Sequence, residues 1–484
     1  MKSSKRIAVI GAGAAGLAVL KVLLELPQVR EREWHVVCYE ARDDVGGVWH
    51  PAPPTTDPPL TALYDSLTTN VPHPLMGFRS LLFPPSTPLY PPARAVHAYL
   101  RSYATTFGLH PYLRLNRRVQ QLTWDAQAAC WNLVLGPDGI ERQYDAVIIT
   151  TGRNRLPRLP DTPGFSTWLA SGKIPITHSA WYRNPIPWKG KVVLVMGGGP
   201  SGTDVTSELA TVAKRVYHSV TDFVTEDVGN VSRRPRAREF TPDGKVIFVD
   251  GSVASDVQAV IPATGYQHWY PFLTPPLLVP HPTPVSSTPT APPPAHLSND
   301  SYHVYALARH IWPLQRDFPP HTLAFIGLPA HVIIFPVFEL QARAVLRVLQ
   351  DPAQLDIPRE LALVRERDRE LQARYAGDQL KVSKAWHVLP DEQWAYRAEL
   401  LAFARVAGWG WEPWEKEVGE MKGDLRTAWK AIEARGEGPK WVKGVGQGGL
   451  DEWLDLIRRV YKDGQERKAA GEWEGLKVSE PDWV

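Results

Sequence analysis

The sequence predicts an α/β protein built on two Rossmann-like dinucleotide-binding domains, with a helical appendage at the C-terminal end. Two glycine patterns carry the α/β part. Gly11-Ala12-Gly13-Ala14-Ala15-Gly16 follows one apolar run and opens a helix-like run, and Gly197-Gly198-Gly199-Pro200-Ser201-Gly202 repeats that arrangement later in the chain. A GxGxxG pattern lodged between a strand and a helix marks a turn that holds a pyrophosphate. The helical appendage rests on a third observation. Charged helical patterns fill the chain beyond about residue 356, and ten of the 19 tryptophans fall in residues 386–484.

The elements follow in order. Residues 6–10 form a continuous apolar run, as expected of a parallel strand covered on both faces. A helix is expected over 14–26, stopped by Pro27, and a second strand over 34–39 that ends on Glu40. Residues 51–92 are rich in proline and read as long loops. Val96, Tyr99, Leu100 and Tyr103 recur at helical spacing within 93–108. Residues 112–149 read as a β-meander closing on a last apolar run. A second strand–helix–strand unit covers 191–196, 201–213 and 215–219, and a further strand ends near Ile261. Ten prolines in residues 271–294 leave no room for a packed element, so a surface loop is expected there. A strand at 323–327 and a helix at 338–349 follow, then a stretch of alternating Arg and Glu over 359–374 that reads as a solvated helix face. The tryptophans beyond it are expected to pack onto the body, with a lid or dimer surface as the alternative reading.

Bulk properties narrow the function. The 484 residues suffice for two or three domains, and an apolar fraction of 44% is ordinary for a globular chain. A net charge of +3 without a dense basic stripe points away from nucleic acid and from membrane surfaces. The apolar stretch 7–24 after a basic start imitates a signal peptide or anchor, but its glycine spacing fits strand, turn and helix. Nothing else reads as a targeting signal, so the cytoplasm is the expected compartment. Cys38 and Cys130 are the only cysteines, which argues against a disulfide framework.

In the first turn, Gly11 permits the tight bend, Gly13 lets the backbone approach a pyrophosphate, and Gly16 lets helix and strand pack closely. The amides of Ala14 and Ala15 at the helix N-terminus add the dipole's preference for negative charge. Glu40 ends the second strand, where a carboxylate accepts from ribose hydroxyls and repels a 2′-phosphate. The site therefore suits FAD or NAD and not NADP. In the second turn, Gly197, Gly199 and Gly202 repeat this logic, with Pro200 and Ser201 at the start of the helix and Ser201 able to donate to the phosphates. Thr151-Gly152 and Thr264-Gly265 each follow an apolar run and read as turns that carry the chain between domains. Asp204 and Glu208 on the second helix read as structural.

Continuing from Glu40, the run Ala41-Arg42-Asp43-Asp44-Val45-Gly46-Gly47-Val48-Trp49 resembles the FAD-binding segment of the flavin-containing monooxygenases. Tyr64-Asp65-Ser66-Leu67-Thr68-Thr69-Asn70-Val71-Pro72 is similar to that family's segment beside the isoalloxazine ring, and the run from Ser201 to Leu209 is close to its NADPH-binding helix. The resemblance covers about residues 5–350. It implies FAD on the first turn, with Gly47, Val48, Trp49 and Thr69 nearby, and NADPH on the second. It implies Asn70 as the catalytic asparagine, orienting the nicotinamide or the oxygen adduct with donors and an acceptor but no charge. His178 and Tyr182 match the second half of the family's signature, whereas Gly172 and Ile174 depart from its first half. Baeyer–Villiger relatives carry tryptophan where Tyr182 stands, so the tyrosine points to the heteroatom-oxidising branch.

Cationic groups are needed for a 2′-phosphate. Arg215, just before the second strand of the second unit, is the candidate. Val220-Thr221-Asp222 after that strand lacks the family's usual arginine, Asp222 keeps NADH open, and Arg233 and Arg234 follow in what reads as a loop able to fold back.

The resemblance thus implies an NADPH-consuming, FAD-dependent monooxygenase. It would place one oxygen of O2 on a nitrogen or sulfur of a small molecule through a hydroperoxide at flavin C4a. The expected domains are 1–180 and 299–355 for FAD, 181–270 for NADPH, a proline-rich loop at 271–298 and a helical extension at 356–484. A Baeyer–Villiger enzyme, an amine N-hydroxylase and a redox-dead binding protein are the alternatives. A flavin disulfide reductase is excluded because the two cysteines are far apart. No metal site is expected, and a homodimer is left open.

Overall fold

The computed structural model describes residues 4–221, 224–280, 292–406, 410 and 412–472. The chain forms two compact units. The first takes the described residues of 4–50, 71–153 and 268–472, and the second takes 51–70 and 154–267. By contacts, 51–70 and 154–180 therefore group with the second glycine turn.

The first unit is organised by a five-stranded sheet in the order Leu323–Phe325, Ala146–Ile149, Lys5–Ile10, Trp34–Tyr39, Leu113–Arg114, with every pair parallel. Alternation decides what each face meets. Ile7 and Val9 point to a core shared with the helices Ala14–Leu23, Ala93–Thr106 and Ile334–Gln350, while Ala8 and Ile10 point to a second core shared with the meander. That meander pairs Arg118–Asp125, Cys130–Gly136 and Ile140–Tyr144 antiparallel, and the next strand, Ala146–Ile149, joins the parallel sheet.

Several expected bounds shift. The first helix ends at Leu23, and Pro27 opens a separate turn of helix, Pro27–Arg30, as a ring with no N–H to donate can. Within 51–92 one short helix forms, His73–Met76. The later helix starts at Ile334, ahead of Pro336, because a proline in the first turn costs no intrahelical bond. The proline-dense stretch is not devoid of packed elements. Leu278–Val279 pairs with Leu297–Asn299, and Phe272, Leu273, Leu277 and Leu278 are buried in the second core. These apolar side chains between the prolines anchor it; residues 281–291 lie outside the described set.

Beyond Asp356 the first unit continues as helices Ile357–Arg374, Gln379–Ala385, Gln393–Ala404, Pro413–Ala434, Gly438–Val442 and Leu450–Ala469. Trp386, Trp429 and Trp453 are fully buried, and Trp453 meets His73 edge-on at 4.3 Å between ring centroids. The Arg/Glu helix is not wholly solvated. Its Leu361, Val364 and Leu371 are buried, as is Glu360, which pairs with Arg309 at 2.8 Å.

The second unit repeats the plan. Its sheet runs Glu226–Val228, Val231–Arg234, Arg215–Ser219, Val192–Met196, Ala259–Pro262, parallel except for the first pair. Val193, Val195 and Val216 pack with Val205 and Leu209 of the helix Pro200–Leu209, and Leu194, Met196 and Tyr217 face the other core with Phe240 and Phe248.

Candidate functional site

In the first unit the glycine turn joins Ile10 to the helix that Gly13 caps. Gly11 has φ +103°, a conformation that favours glycine, and its amide donates to Tyr39 O at 2.8 Å. A Cβ on Gly16 would lie 1.9 Å from Gly11 O, so the helix rests directly on the turn. Thr150, at the end of the neighbouring strand, locks it by donating Oγ1 to Ile10 O at 2.9 Å and to Gly11 O at 2.7 Å.

Gly13 is different. A Cβ there would meet only Gly47, at an ordinary 3.5 Å from its Cα. The protein's own packing does not demand glycine at 13, whereas a group seated on the helix N-terminus does. No side chain caps that helix, which leaves the first-turn amides of Ala14 and Ala15 for an anion. The turn thus fits a dinucleotide pyrophosphate.

Glu40 is buried at the end of its strand. Its Oε2 accepts from Ala12 N at 2.7 Å and its Oε1 from Arg42 N at 2.9 Å. The carboxylate therefore fastens the turn, and the lone pairs left over remain for hydroxyls. Gly47, Val48 and Trp49 form a single 3-10 turn entered through Gly46 at φ +114°, whose amide donates to Ala12 O at 2.9 Å. The Arg42 guanidinium holds this turn from beneath, donating to Gly47 O at 3.1 Å and His50 O at 2.7 Å. His97 closes the other side, stacked on His50 with centroids 4.9 Å apart, and its Nε2 lies 3.0 Å from Val45 O. Sequence reasoning missed both supports. Nothing in the sequence separates Arg42 from a surface arginine, or His97 from other helical histidines. Thr151 and Gly152 are exposed at the C-terminal edge of this sheet, Gly152 with φ +72°.

The second turn repeats these contacts. Gly197 has φ +119°, its amide donates to Ser219 O at 2.8 Å, and a Cβ on Gly202 would lie 1.9 Å from Gly197 O. The carbonyl of Ala263 stands where that of Thr150 stands in the first unit, 2.4 Å from a Cβ on Gly197. Gly199 caps a helix that Pro200 opens and no side chain covers, with Ser201 in its first turn. Thr264 Oγ1 donates to Arg158 O at 2.5 Å, and Gly265 has φ +80° beside it. His218, not anticipated from sequence, places a ring nitrogen 3.0 Å from Gly197 O, and burial lowers its pKa.

Arg215 does not join this group. The register sets it opposite Val192, the first residue of the central strand, while the glycine turn follows Met196 at the other end. At about 3.3 Å per residue this puts it some 13 Å from the turn along the strand. It leans instead on Tyr217 at 3.3 Å. As the first residue of its strand Arg215 enters the sheet at the N-terminal edge, and ligands bind at the C-terminal edge. Arg233 and Arg234 lie at that edge, on a strand rather than a loop, paired with His218 and Ser219.

Asn70 is exposed, Thr69 is buried, and both close the 51–70 segment of the second unit. Within this unit Tyr64 donates to Asp204 and Tyr182 to Glu208, each at 2.6 Å. The two acids are therefore structural anchors. Tyr182 is fully buried and stacks on Trp188 at 5.2 Å. His178 is buried and its Nδ1 accepts from Ala180 N at 3.1 Å. Burial lowers its pKa to about 4, so near neutral pH it is an uncharged cap with its proton on Nε2.

Among the described residues no three His, Cys, Asp or Glu side chains gather as metal ligands, and no helix is long and apolar enough to cross a membrane.

A flavin-binding monooxygenase-like family model matches residues 4–226 and 225–389. The flavin-containing monooxygenase FMO GS-OX-like 2 of Arabidopsis thaliana is 31% identical over 455 residues, covering 84% of this chain and 87% of the relative. FMO GS-OX-like 9 of the same plant is 29% identical over 396 residues, covering 74% and 78%. The solved S-allyl-L-cysteine S-oxygenase of Allium sativum shares the fold with a TM-score of 0.72 at 23% identity, covering 96% of this chain and 99% of that one. Cyclohexanone monooxygenase shares it with a TM-score of 0.56 at 14% identity, covering 83% and 98%.

Proposed function

Because the chain belongs to the flavin-binding monooxygenase-like family, whose members are oxidoreductases that use FAD and NADPH, we propose that it transfers one oxygen of O2 to a nitrogen or sulfur atom of a small molecule. The balance is substrate, NADPH, a proton and O2 giving the oxygenated substrate, NADP+ and water. FAD supplies the redox chemistry when bound.

The chain's own residues supply placement. Gly13 and the amides of Ala14 and Ala15 take the FAD pyrophosphate, with Glu40 on the adenosine ribose. Gly47, Val48 and Trp49, braced by Arg42, line the flavin side, with Thr151-Gly152. Gly199 and the amide of Ser201 take the NADPH pyrophosphate, with Gly202 packing the helix onto the turn and Thr264-Gly265 beside them. Asn70 supplies a donor and an acceptor to the reacting atoms without adding charge.

What supports a heteroatom over a ketone is Tyr182. Its hydroxyl satisfies Glu208 at 2.6 Å in a fully buried position, a bond that a tryptophan's donor, set at a different point of a larger ring, does not reproduce. The test offers thioethers, amines and ketones to the FAD-loaded protein and follows NADPH oxidation with product mass. Sulfoxide or N-oxide formation is the expected result. Ester formed from a ketone, with thioethers and amines inert, would overturn the reading in favour of a Baeyer–Villiger enzyme.

A further inference from the structure

The edge hairpin of the second unit carries four charges that the glycine turn does not use. Its strands Glu226–Val228 and Val231–Arg234 are antiparallel, with Glu226 opposite Arg233. Arg233 Nη1 lies 3.2 Å from Glu226 Oε2, and Arg234 Nη1 lies 2.7 Å from Asp227 Oδ1. On its other side Arg233 is in register with His218, whose ring nitrogen touches Gly197 O at 3.0 Å. Residues in register share a face of the sheet, so Arg233 stands on the face of His218, on the next strand out and two strands from the one that the glycine turn follows. Arg234 takes the opposite face, its guanidinium 6.0 Å from the centre of the Tyr217 ring.

We propose that Arg233 grips the 2′-phosphate of NADPH, and that Glu226 is a displaceable counter-ion on it, so that the Glu226–Arg233 pair selects NADPH over NADH. This rests on the reading of the second unit as the NADPH site. The Glu226 side chain is 51% exposed and that of Arg233 30%. Such surface pairs bind weakly. A phosphate monoester near neutral pH carries more charge than a carboxylate and offers three oxygens to the guanidinium fork, so it displaces Glu226. The ribose hydroxyl of NADH brings no charge and leaves the ion pair in place. The site therefore supplies a cation where Val220-Thr221 offers none, and it keeps that cation neutralised until the phosphate arrives.

The test is calorimetric binding of 2′,5′-ADP and of 5′-AMP to the FAD-loaded protein, without turnover. Arg233→Ala is expected to weaken 2′,5′-ADP about ten- to a hundredfold, the worth of one charge-assisted contact, and to leave 5′-AMP unchanged. Glu226→Gln is expected to tighten 2′,5′-ADP about two- to fivefold by removing the competitor. Retained flavin absorbance and unchanged far-UV circular dichroism certify each variant. Wild-type affinity for 2′,5′-ADP in Arg233→Ala would overturn the assignment while leaving the NADPH reading intact, and weaker binding in Glu226→Gln would overturn the counter-ion role. Equal affinity of the wild-type protein for the two nucleotides would overturn the NADPH reading itself, and the assignment with it.

Discussion

Gly13 and Gly47 meet backbone to backbone. A Cβ on Gly47 would lie 3.0 Å from the Cα of Gly13, and one on Gly13 would lie 3.5 Å from the Cα of Gly47. The glycine turn and the paired-glycine segment thus form one wall of a single site, although more than thirty residues of chain separate them.

That relationship separates folding from binding. Gly13→Ala has room in the protein, so it is expected to fold normally, yet its methyl stands where the pyrophosphate must approach. Purified Gly13→Ala is expected to lose FAD by tenfold or more in affinity, on the order of 1.4 kcal/mol or above. Flavin absorbance together with the melting temperature checks this. A yellow protein of normal affinity would remove the pyrophosphate from Gly13. Gly16→Ala, 1.9 Å from Gly11 O, is expected to fail earlier, in yield of folded protein.

Asn70 is exposed at the end of its segment, and no described residue engages its side-chain amide. Asn70→Ala is therefore expected to cost little stability, within about 0.5 kcal/mol as for a surface change. The variant is expected to retain FAD and to divert most NADPH electrons into hydrogen peroxide. The ratio of peroxide formed to NADPH consumed measures it, and full coupling would show that Asn70 does not act on the reacting atoms.

Arg215→Ala is expected to leave the Michaelis constants for NADPH and NADH within about twofold of the wild type, since the register puts Arg215 at the wrong edge of the sheet. A selective rise for NADPH in steady-state kinetics would contradict that placement.

Burial holds four histidines neutral. The pKa of His178 falls to about 4, those of His73 and His310 to about 3, and that of His387 well below its ordinary value. In the unfolded chain each titrates near about 6.5. Between the folded and unfolded values the unfolded state binds more protons, so stability falls as pH drops below about 6.5 and stops falling below the folded value. By pH 5 each of His178, His73 and His310 contributes a loss of up to about 2 kcal/mol, and His387 adds in the same direction. Urea unfolding at pH 7, 6 and 5 checks this. Unchanged stability across that range would mean that these rings are not held neutral in the fold.

Much of the fold was legible because it rests on local spacing. Strand 34–39 and strand 215–219 were read to the residue, since apolar runs bounded by turn signals leave little choice. The proline-dense stretch misled for the converse reason. Phe272, Leu273, Leu277 and Leu278 are too few to show a period, yet each finds a place in a core assembled by distant strands. The burial of Glu360 was equally hidden, because its partner Arg309 lies far away in sequence and only the fold joins them.

The sequence by itself determined that there are two glycine turns of the dinucleotide-binding pattern, that each sits between a strand and a helix, and that Glu40 follows the first unit's second strand. These are properties of neighbours along the chain, where the φ freedom of glycine and the placement of a carboxylate decide the outcome. Only the tertiary structure decided which arginines lie at the C-terminal edge of the second sheet and what packs against the first turn. Strand register moved Arg215 to the far edge and Arg233 to the near one, and the contact of Gly47 with the first turn, like the stacking of His97 on His50 beside the Gly47–Trp49 segment, depends on chain reversals that no local pattern encodes. A cation's reach is set by the strand that carries it and by the end at which it sits, and parallel pairing, a long-range property, fixes both.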